Sequence, residues 1–195
     1  MRLCTFVCLM VVLLHGAKLA QAEGDFSFGY GWSQLSLDGE YGGDLDGWGM
    51  AFHFRFPPAR DKNGLLLGFG LQFSDYTGSY DLGDTLFTTK TITDVSIFTP
   101  QVELAWHQKL FSGFYVEPSV AFGALLATFQ PRNIFQDDDF AAGWVIRPGL
   151  LLGYQIESLS FGAEATYGFN QIEFEQGIDD TSRELYVGGF LRFGF

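Results

Sequence analysis

Hydrophobic and polar residues alternate with a period of two along most of the chain after residue 22. The clearest run is Glu184–Phe195, where one parity holds the large apolar residues Leu185, Val187, Leu191, Phe193 and Phe195. The other parity holds Glu184, Tyr186, Gly188, Arg192 and Gly194. A period of two predicts a β-strand whose two faces meet different environments. Because the apolar face is large and aromatic and the other face is small or charged, the pattern indicates lipid outside and a polar lumen inside.

The same alternation recurs in eight segments, which we predict to be strands at about 25–37, 47–56, 64–76, 91–107, 113–128, 140–155, 159–170 and 184–195. Their connections alternate in length: 57–63, 108–112 and 157–158 are short, whereas 38–46, 74–90, 129–139 and 171–183 are long. Bacterial outer-membrane barrels have short periplasmic turns and long external loops. The sequence therefore predicts an all-β fold, a transmembrane antiparallel up-and-down β-barrel of eight strands.

The N-terminus has the features of a secretory signal peptide. Arg2 precedes the apolar stretch Leu3–Leu14, which is too short to span a bilayer as a helix, and Ala20-Gln21-Ala22 is a small-x-small cleavage site. We expect residues 1–22 to be removed and residues 23–195 to form the barrel domain; an uncleaved anchor is the alternative. Cys4 and Cys8 both lie in the leader. The mature chain then has no disulfide and no thiolate metal site, and we predict no cofactor.

Three prolines fall in the middle of predicted strands: Pro100, Pro118 and Pro148. Proline cannot donate to the hydrogen-bond ladder and is disfavoured in central strands. The sequences around the three prolines are similar, and the alternation of apolar and polar residues changes phase near Pro100. Both features favour a shared β-bulge or kink. The alternative is that the strand centres are misplaced.

Charged residues occupy the parity that faces the lumen, and we predict a lumen charge network of Arg55, Glu103, Glu117, Arg147, Glu164 and Arg192. Bare charges in a low-dielectric interior are costly, so these side chains must pair or meet water. Five of them lie near the periplasmic rim, with Arg147 somewhat higher, and we expect one connected network. Such a network either fills and stabilises the barrel or forms a gated path for protons or ions.

The sequence carries little that predicts enzyme chemistry. The histidines of the mature chain, His53 and His107, fall toward the periplasmic end, whereas lipid A lies in the outer leaflet. No His-x-Ser, P-loop, nucleophile elbow or metal-ligand spacing is present. We predict that the protein is not an enzyme, with a lipid A-modifying activity as the less favoured alternative.

The net charge of −12 argues against nucleic acid as a partner. Acidic residues concentrate in the long connections, as in the run Asp137-Asp138-Asp139. Such carboxylates suit divalent cations that also bind lipopolysaccharide phosphates, although solvated, self-repelling loops are the commoner explanation.

The C-terminal residues Leu191, Phe193 and Phe195 resemble the signal by which the barrel-assembly machinery recognises outer-membrane proteins. With the signal peptide, strand count, loop asymmetry and inward Glu/Arg set, the mature chain resembles small eight-stranded outer-membrane barrels, the outer-membrane protein A/X-like and opacity-type families. The resemblance implies an outer-membrane location, contact with membrane lipid and lipopolysaccharide, and recognition by the assembly machinery.

It further implies a non-enzymatic structural or surface-interaction role, with a plugged or narrow lumen and an unidentified surface ligand. A narrow channel for ions or small solutes is the main alternative. A soluble lipocalin-like carrier is another, but it would need apolar inward residues.

Overall fold

The computed structural model describes residues 24–38, 43–56, 63–82, 89–131, 139–174 and 179–194. Its eight strands are β1 (Asp25–Leu37), β2 (Gly43–Phe56), β3 (Gly64–Leu82), β4 (Thr89–Lys109), β5 (Phe114–Pro131), β6 (Asp139–Ile156), β7 (Leu159–Phe174) and β8 (Asp179–Gly194). No helix among these residues is both long and apolar enough to cross a membrane. The predicted signal peptide and Phe195 lie outside the described residues, and so their roles stay predictions.

Each strand pairs antiparallel with the next, and β1 pairs with β8 to close the barrel. The predicted eight-stranded antiparallel barrel is therefore confirmed. Asp25 and Gly194 are partners in the closing ladder, so the start of β1 and the end of β8 lie at the same end of the barrel as the described β4–β5 and β6–β7 turns. We call this the short-turn end, and it is the periplasmic end in bacterial barrels.

The outer surface of the barrel is apolar over the depth of a bilayer. On β3, the outward side chains are Leu65, Leu67, Phe69, Leu71 and Phe73. They span residues 65–73, which matches the stretch of about nine residues that a tilted strand needs to cross the hydrocarbon. Neighbouring rings pack on this surface, as Phe54 with Phe69 at 5.8 Å and Phe73 with Phe98 at 4.7 Å between centroids. The lipid-facing parity predicted from the sequence is the exposed one.

The strands extend further from the short-turn end than the sequence predicts. β3 runs to Leu82 and β4 begins at Thr89, so the connection expected at 74–90 narrows to 83–88. At ~3.3 Å per residue and a tilt of ~40°, β3 continues roughly 20 Å beyond its apolar outer segment. The predicted boundary failed because the outward residues become polar there while the strand itself continues.

Along most of the strands the sense of the alternation reverses, with β6 and β8 as exceptions: the outward Phe140 of β6 stays apolar, and the inward Ser182 of β8 stays polar. Near the short-turn end of β1, Phe26 lies on the outer parity and the buried Ser27 faces inward. Toward the opposite end Gln34 takes the outer parity and the buried Leu35 faces inward. Beyond the membrane the barrel therefore resembles a soluble β-barrel, with a polar exterior around an apolar core.

The bulge predicted at the three prolines is absent from the described ladders. Pairing of β4 with β3 runs without a register change from Gly64–His107 to Leu82–Thr89, and inward residues keep one parity through Pro100. Pro100, Pro118 and Pro148 lie on the outer parity, and pairing is interrupted on one side of each. The interruption has a simple cause, since proline has no N–H to donate to that neighbour. Each proline is therefore accommodated by the loss of ladder pairing on one side, without an extra residue in the strand.

Two of the short connections are tight turns. In the β4–β5 turn, the N–H of Leu110 donates to the carbonyl of Phe114 and the N–H of Phe114 donates to the carbonyl of Phe111, at 2.9 and 2.8 Å. Gly113 has a φ of 87°, which glycine adopts without strain. The β6–β7 turn consists of Glu157 and Ser158.

Candidate functional site

Glu117 of β5 is the centre of a charged cluster inside the barrel. Its two carboxylate oxygens accept hydrogen bonds from Arg192 at 2.7 and 2.6 Å. Oε2 also accepts from Arg55 at 2.8 Å, and Oε1 lies 2.6 Å from Nδ1 of His107. The carboxylate is thus satisfied from three strands, β2, β4 and β8, and is fully buried.

The cluster continues from Arg55 to a second carboxylate. Arg55 donates to Glu103 through Nη2 at 2.6 Å and through Nε at 3.1 Å. His53 bridges Glu103, 2.9 Å from Nδ1, and Glu164, 3.3 Å from Nε2. We call these residues the lower charged layer: His53, Arg55, Glu103, His107, Glu117, Glu164 and Arg192.

The lower charged layer contains five of the six predicted lumen charges and both histidines predicted to lie at the periplasmic end. Charge-assisted hydrogen bonds of this kind are strong, and a buried ion pair is tolerated only when its members satisfy one another. Arg192 further covers the rings of Tyr115 and Phe190, at 5.4 and 5.6 Å from their centroids. The layer packs the lumen as well as balancing its charges.

The sixth predicted charge, Arg147, lies in a separate cluster at mid-height. It forms an ion pair with Glu184 and donates to the side-chain oxygen of Gln101 at 2.7 Å. Oε1 of Glu184 also accepts from Tyr76, from Gln72 at 2.9 Å and from Ser74 at 2.8 Å. We call this the middle charged layer: Ser33, Gln72, Ser74, Tyr76, Gln101, Arg147 and Glu184.

Among the described residues, the hydrogen bonds of the predicted lumen charges thus fall into two groups, whereas one connected network was expected. The separation arises because Arg147 pairs with a carboxylate of β8 that was absent from the predicted set. Glu184 shares the inward parity of Arg192 and Tyr186, so the alternation alone was sufficient to identify it.

Glycines opposite the charged residues provide the room that the layers occupy. A methyl group on Gly68 would lie 3.0 Å from Cγ of Arg55 and 2.2 Å from the carbonyl oxygen of Phe54. One on Gly153 would lie 2.3 Å from the ring of Tyr115. An eight-stranded lumen is only wide enough for side chains, so large residues at some positions require glycine at others.

Above the charged layers the lumen is filled by apolar side chains. This upper apolar layer consists of Leu35, Leu37, Leu45, Tyr76, Val95, Ile97, Leu125, Ala127, Phe129, Ala141 and Ile172. Tyr76 belongs to both groups, since its ring packs in the apolar layer and its hydroxyl bonds Glu184. The sequence prediction of a polar lumen is therefore correct for the lower part of the barrel and wrong for the upper part, where the strands leave the membrane.

Several acidic residues of the long connections lie on the strand ends outside the upper apolar layer. Asp44 accepts from Ser36 at 2.6 Å, Asp94 from Thr77 at 2.8 Å and Asp75 from Ser96 at 2.5 Å. Asp38 pairs with Arg183, whose guanidinium pKa this contact raises above its usual value. The run Asp137–Asp138 lies outside the described residues. Within the described ranges, no three His, Asp or Glu side chains are grouped so that they could hold a metal ion.

The two described residues of the predicted insertion signal, Leu191 and Phe193, are exposed on the outer face of β8. They join the lipid-facing surface there. Their recognition by the assembly machinery stays a prediction.

Comparison with solved structures identifies bacterial outer-membrane barrels. Neisserial surface protein A superposes with a TM-score of 0.61 at 12% identity, covering 88% of this chain and 97% of that chain. A major outer membrane protein from Thermus thermophilus gives 0.60 at 12% identity, covering 90% and 100%. Ail, the attachment invasion locus protein of Yersinia pestis, gives 0.50 at 15% identity, covering 89% and 100%. No protein-family model and no curated protein sequence shows a match to the chain.

At these identities the similarity concerns the fold, which is that of small outer-membrane barrels. The apolar outer surface independently requires a lipid environment, because water would meet a continuous belt of large apolar side chains. Fold and surface together confirm the outer-membrane location predicted from the sequence.

Proposed function

We propose that this outer-membrane barrel has a non-enzymatic role in the cell envelope, structural or in surface contacts, with a lumen that does not conduct. The observation that carries the proposal is the stacking of three filled layers inside the barrel. Two charged layers are buried and internally paired, and the upper apolar layer covers them on the external side.

A narrow channel is the main alternative. An ion crossing the lumen would have to lose most of its hydration at the height of the upper apolar layer, where, among the described inward residues, the hydroxyl of Tyr76 and the buried pair Asn170–Ser182 are the polar groups beside a mainly apolar lining. It would also have to separate pairs such as Arg192–Glu117, whose atoms lie 2.6–2.7 Å apart. Both requirements favour a closed lumen.

A lipid-modifying activity has less support from the geometry. A histidine base must reach its nucleophile within hydrogen-bond distance. His53 and His107 are buried inside the barrel, and each directs Nδ1 to a glutamate, Glu103 and Glu117 respectively. Neither lies on the outer surface where lipid A would bind.

The role at the surface rests on the part of the barrel that projects beyond the membrane. Its outer face carries Asp44, Asp75 and Asp94 at the strand ends. We propose lipopolysaccharide, through bridging divalent cations, as the nearest contact of this face, with a further surface ligand unidentified.

Conductance in planar bilayers tests the closed lumen. The folding of the refolded protein is first verified by its electrophoretic mobility shift on heating. After reconstitution into the bilayer, the protein is expected to give no current steps in concentrated KCl. A general porin inserted in the same bilayer provides the positive control. Reproducible steps from the wild-type barrel would replace the proposal with the channel function.

A further inference from the structure

Two buried oxygen atoms inside the lumen find no hydrogen-bond partner among the described residues. They are Oε2 of Glu164, on β7, and the hydroxyl of Tyr186, on β8. Glu164 is 5% exposed, and Tyr186 is fully buried. A buried polar atom without a partner is costly, and native proteins satisfy most such atoms with side chains, backbone groups or ordered water. The two oxygens therefore indicate a site for a small ligand that forms hydrogen bonds.

Both oxygens border one space, which lies in front of Gly29 of β1. A methyl group on Gly29 would lie 2.9 Å from the hydroxyl of Tyr186 and 3.5 Å from Oε2 of Glu164. The next nearest atom beyond its chain neighbours, the carbonyl oxygen of Gly189, would be 3.6 Å away. Because position 29 carries no side chain, there is room in front of it, and the surrounding atoms are oxygens that can bond a ligand.

The charges of the lower charged layer indicate that this ligand is neutral. The layer contains three carboxylates and two guanidinium groups. His53 lies between two of the carboxylates, with Nδ1 2.9 Å from Glu103 and Nε2 3.3 Å from Glu164. Both ring nitrogens can donate to carboxylates only when the ring is an imidazolium, which brings the positive charges to three. The layer is then balanced, and Oε2 of Glu164 needs a hydrogen-bond donor and no further cation.

We propose that an internal water molecule binds between Glu164 and Tyr186, in front of Gly29. The hydroxyl of Tyr186 donates to the water, and the water donates to Oε2 of Glu164. The ring of Tyr186 lies beside the middle charged layer, since a methyl group on Gly49 would lie 3.1 Å from that ring and 3.2 Å from Oγ of Ser74. The water thus joins the lower charged layer to a side chain that packs beside the middle one.

Nuclear Overhauser effects between water and backbone amides test the site in deuterated, ¹⁵N-labelled protein in detergent micelles. The amide protons at positions 29 and 188 are expected to show cross-peaks at the water frequency, with the sign of a molecule that tumbles with the barrel. Both positions adjoin the hydroxyl of Tyr186, at 2.9 and 2.4 Å from the Cβ that each glycine lacks. Deuteration removes signals from carbon-bound protons, so the exchanging hydroxyl of Tyr186 is the source that must be separated from water.

Three variants, each first shown to be folded by its mobility shift on heating, make that separation. Gly29→Ala is expected to lose both cross-peaks, because its methyl group fills the site. Tyr186→Phe keeps the room and the carboxylate of Glu164, so it is expected to retain them. Gly189→Ala is the matched control, since its methyl group would meet nothing closer than 3.7 Å, and it should resemble wild type. Cross-peaks that persist in Gly29→Ala, or that vanish in Tyr186→Phe, would overturn the proposal.

A crystal structure of the wild-type protein reads the same site without any variant. Density for one oxygen atom is expected about 2.8 Å from Oε2 of Glu164 and from the hydroxyl of Tyr186. Contacts of about 2.4 Å would identify a bound cation, and no density at a resolution that shows other buried waters would mean no ordered ligand. Either result overturns the proposal. A barrel that lacks this water and also gives no current steps would leave the closed lumen standing.

Discussion

Arg192 of β8 and Glu117 of β5 form a bidentate ion pair across the lumen, with N–O distances of 2.7 and 2.6 Å. The two strands share no hydrogen-bond ladder, since β6 and β7 lie between them. The pair therefore connects opposite walls of the barrel directly. Because it also meets Arg55 and His107, it links the lower charged layer to strands around the barrel.

Replacing Arg192 with methionine is expected to destabilise the barrel strongly. The variant keeps much of the side chain's volume but leaves Glu117 with fewer positive partners in a buried site, which costs about 3 kcal/mol of the free energy of unfolding. Urea titration of the protein in phosphatidylcholine vesicles, followed by tryptophan fluorescence, measures the change.

Arg183→Met is the control for that substitution, since the Arg183–Asp38 pair lies on the exposed outer face. Its urea midpoint should equal that of wild type. An Arg192→Met barrel as stable as the control would show that the cross-lumen pair does not support the fold.

Arg147 and Glu184 are expected to be coupled in a double-mutant cycle. Glu184→Gln alone leaves Arg147 without its counter-charge and should cost about 3 kcal/mol, and Arg147→Met alone should cost a similar amount. The double variant should cost clearly less than the sum, because neither buried charge is then left unpaired. Strict additivity of the three unfolding free energies would contradict the ion pair.

The neighbouring residues Leu125 and Leu126 test the upper apolar layer, because they are adjacent and equal in size but face opposite sides. Leu125 is fully buried in the lumen, whereas Leu126 is 39% exposed on the outer face. Leu125→Ala leaves an internal cavity and should cost about 4 kcal/mol. Leu126→Ala should cost about 1–2 kcal/mol, since lipid fills the space. Equal losses in urea unfolding would argue against a packed core at this height.

Two glycines on adjacent strands are expected to respond differently to alanine. A Cβ on Gly162 would lie 2.0 Å from the carbonyl oxygen of Leu152, whereas one on Gly189 would meet nothing closer than 3.7 Å. Gly162→Ala should destabilise by about 3 kcal/mol or more, or prevent folding, and Gly189→Ala should be tolerated. The fraction of refolded protein that resists dodecyl sulfate before heating measures both, and a fully refolded Gly162→Ala barrel would contradict the close approach.

The lipid-facing side of each strand was predictable because one periodicity governs it. Trp144, Ile146 and Leu150 occupy the exposed parity of β6, as expected from the sequence. Glu184 was equally accessible to the same reasoning. The sequence also placed Arg147 higher than the other five charges, as the structure does. It did not show that the charges separate into two hydrogen-bonded groups, because that depends on which strands face each other across the lumen.

The upper apolar layer and the environment of the prolines were harder to predict from the sequence. Leu35 and Val95 lie on the inward parity and pack in the lumen. The prediction of a polar lumen did not include apolar side chains at these positions. The sequence around Pro100 resembled a bulge, because proline weakens strand propensity whether or not a residue is inserted. Only the continuous register of β3 and β4 distinguishes the two cases.

The reversal of the two faces along most of the strands also determines how deeply the barrel is immersed. Pushing it toward the periplasm would carry Asp44 and Asp75 into hydrocarbon, and pulling it outward would expose Phe73 and Trp144 to water. Both displacements raise the free energy. The height at which the outward residues change from apolar to polar therefore fixes the depth of the barrel in the membrane. The exchange of faces thereby holds the external strand ends at a fixed distance above the leaflet.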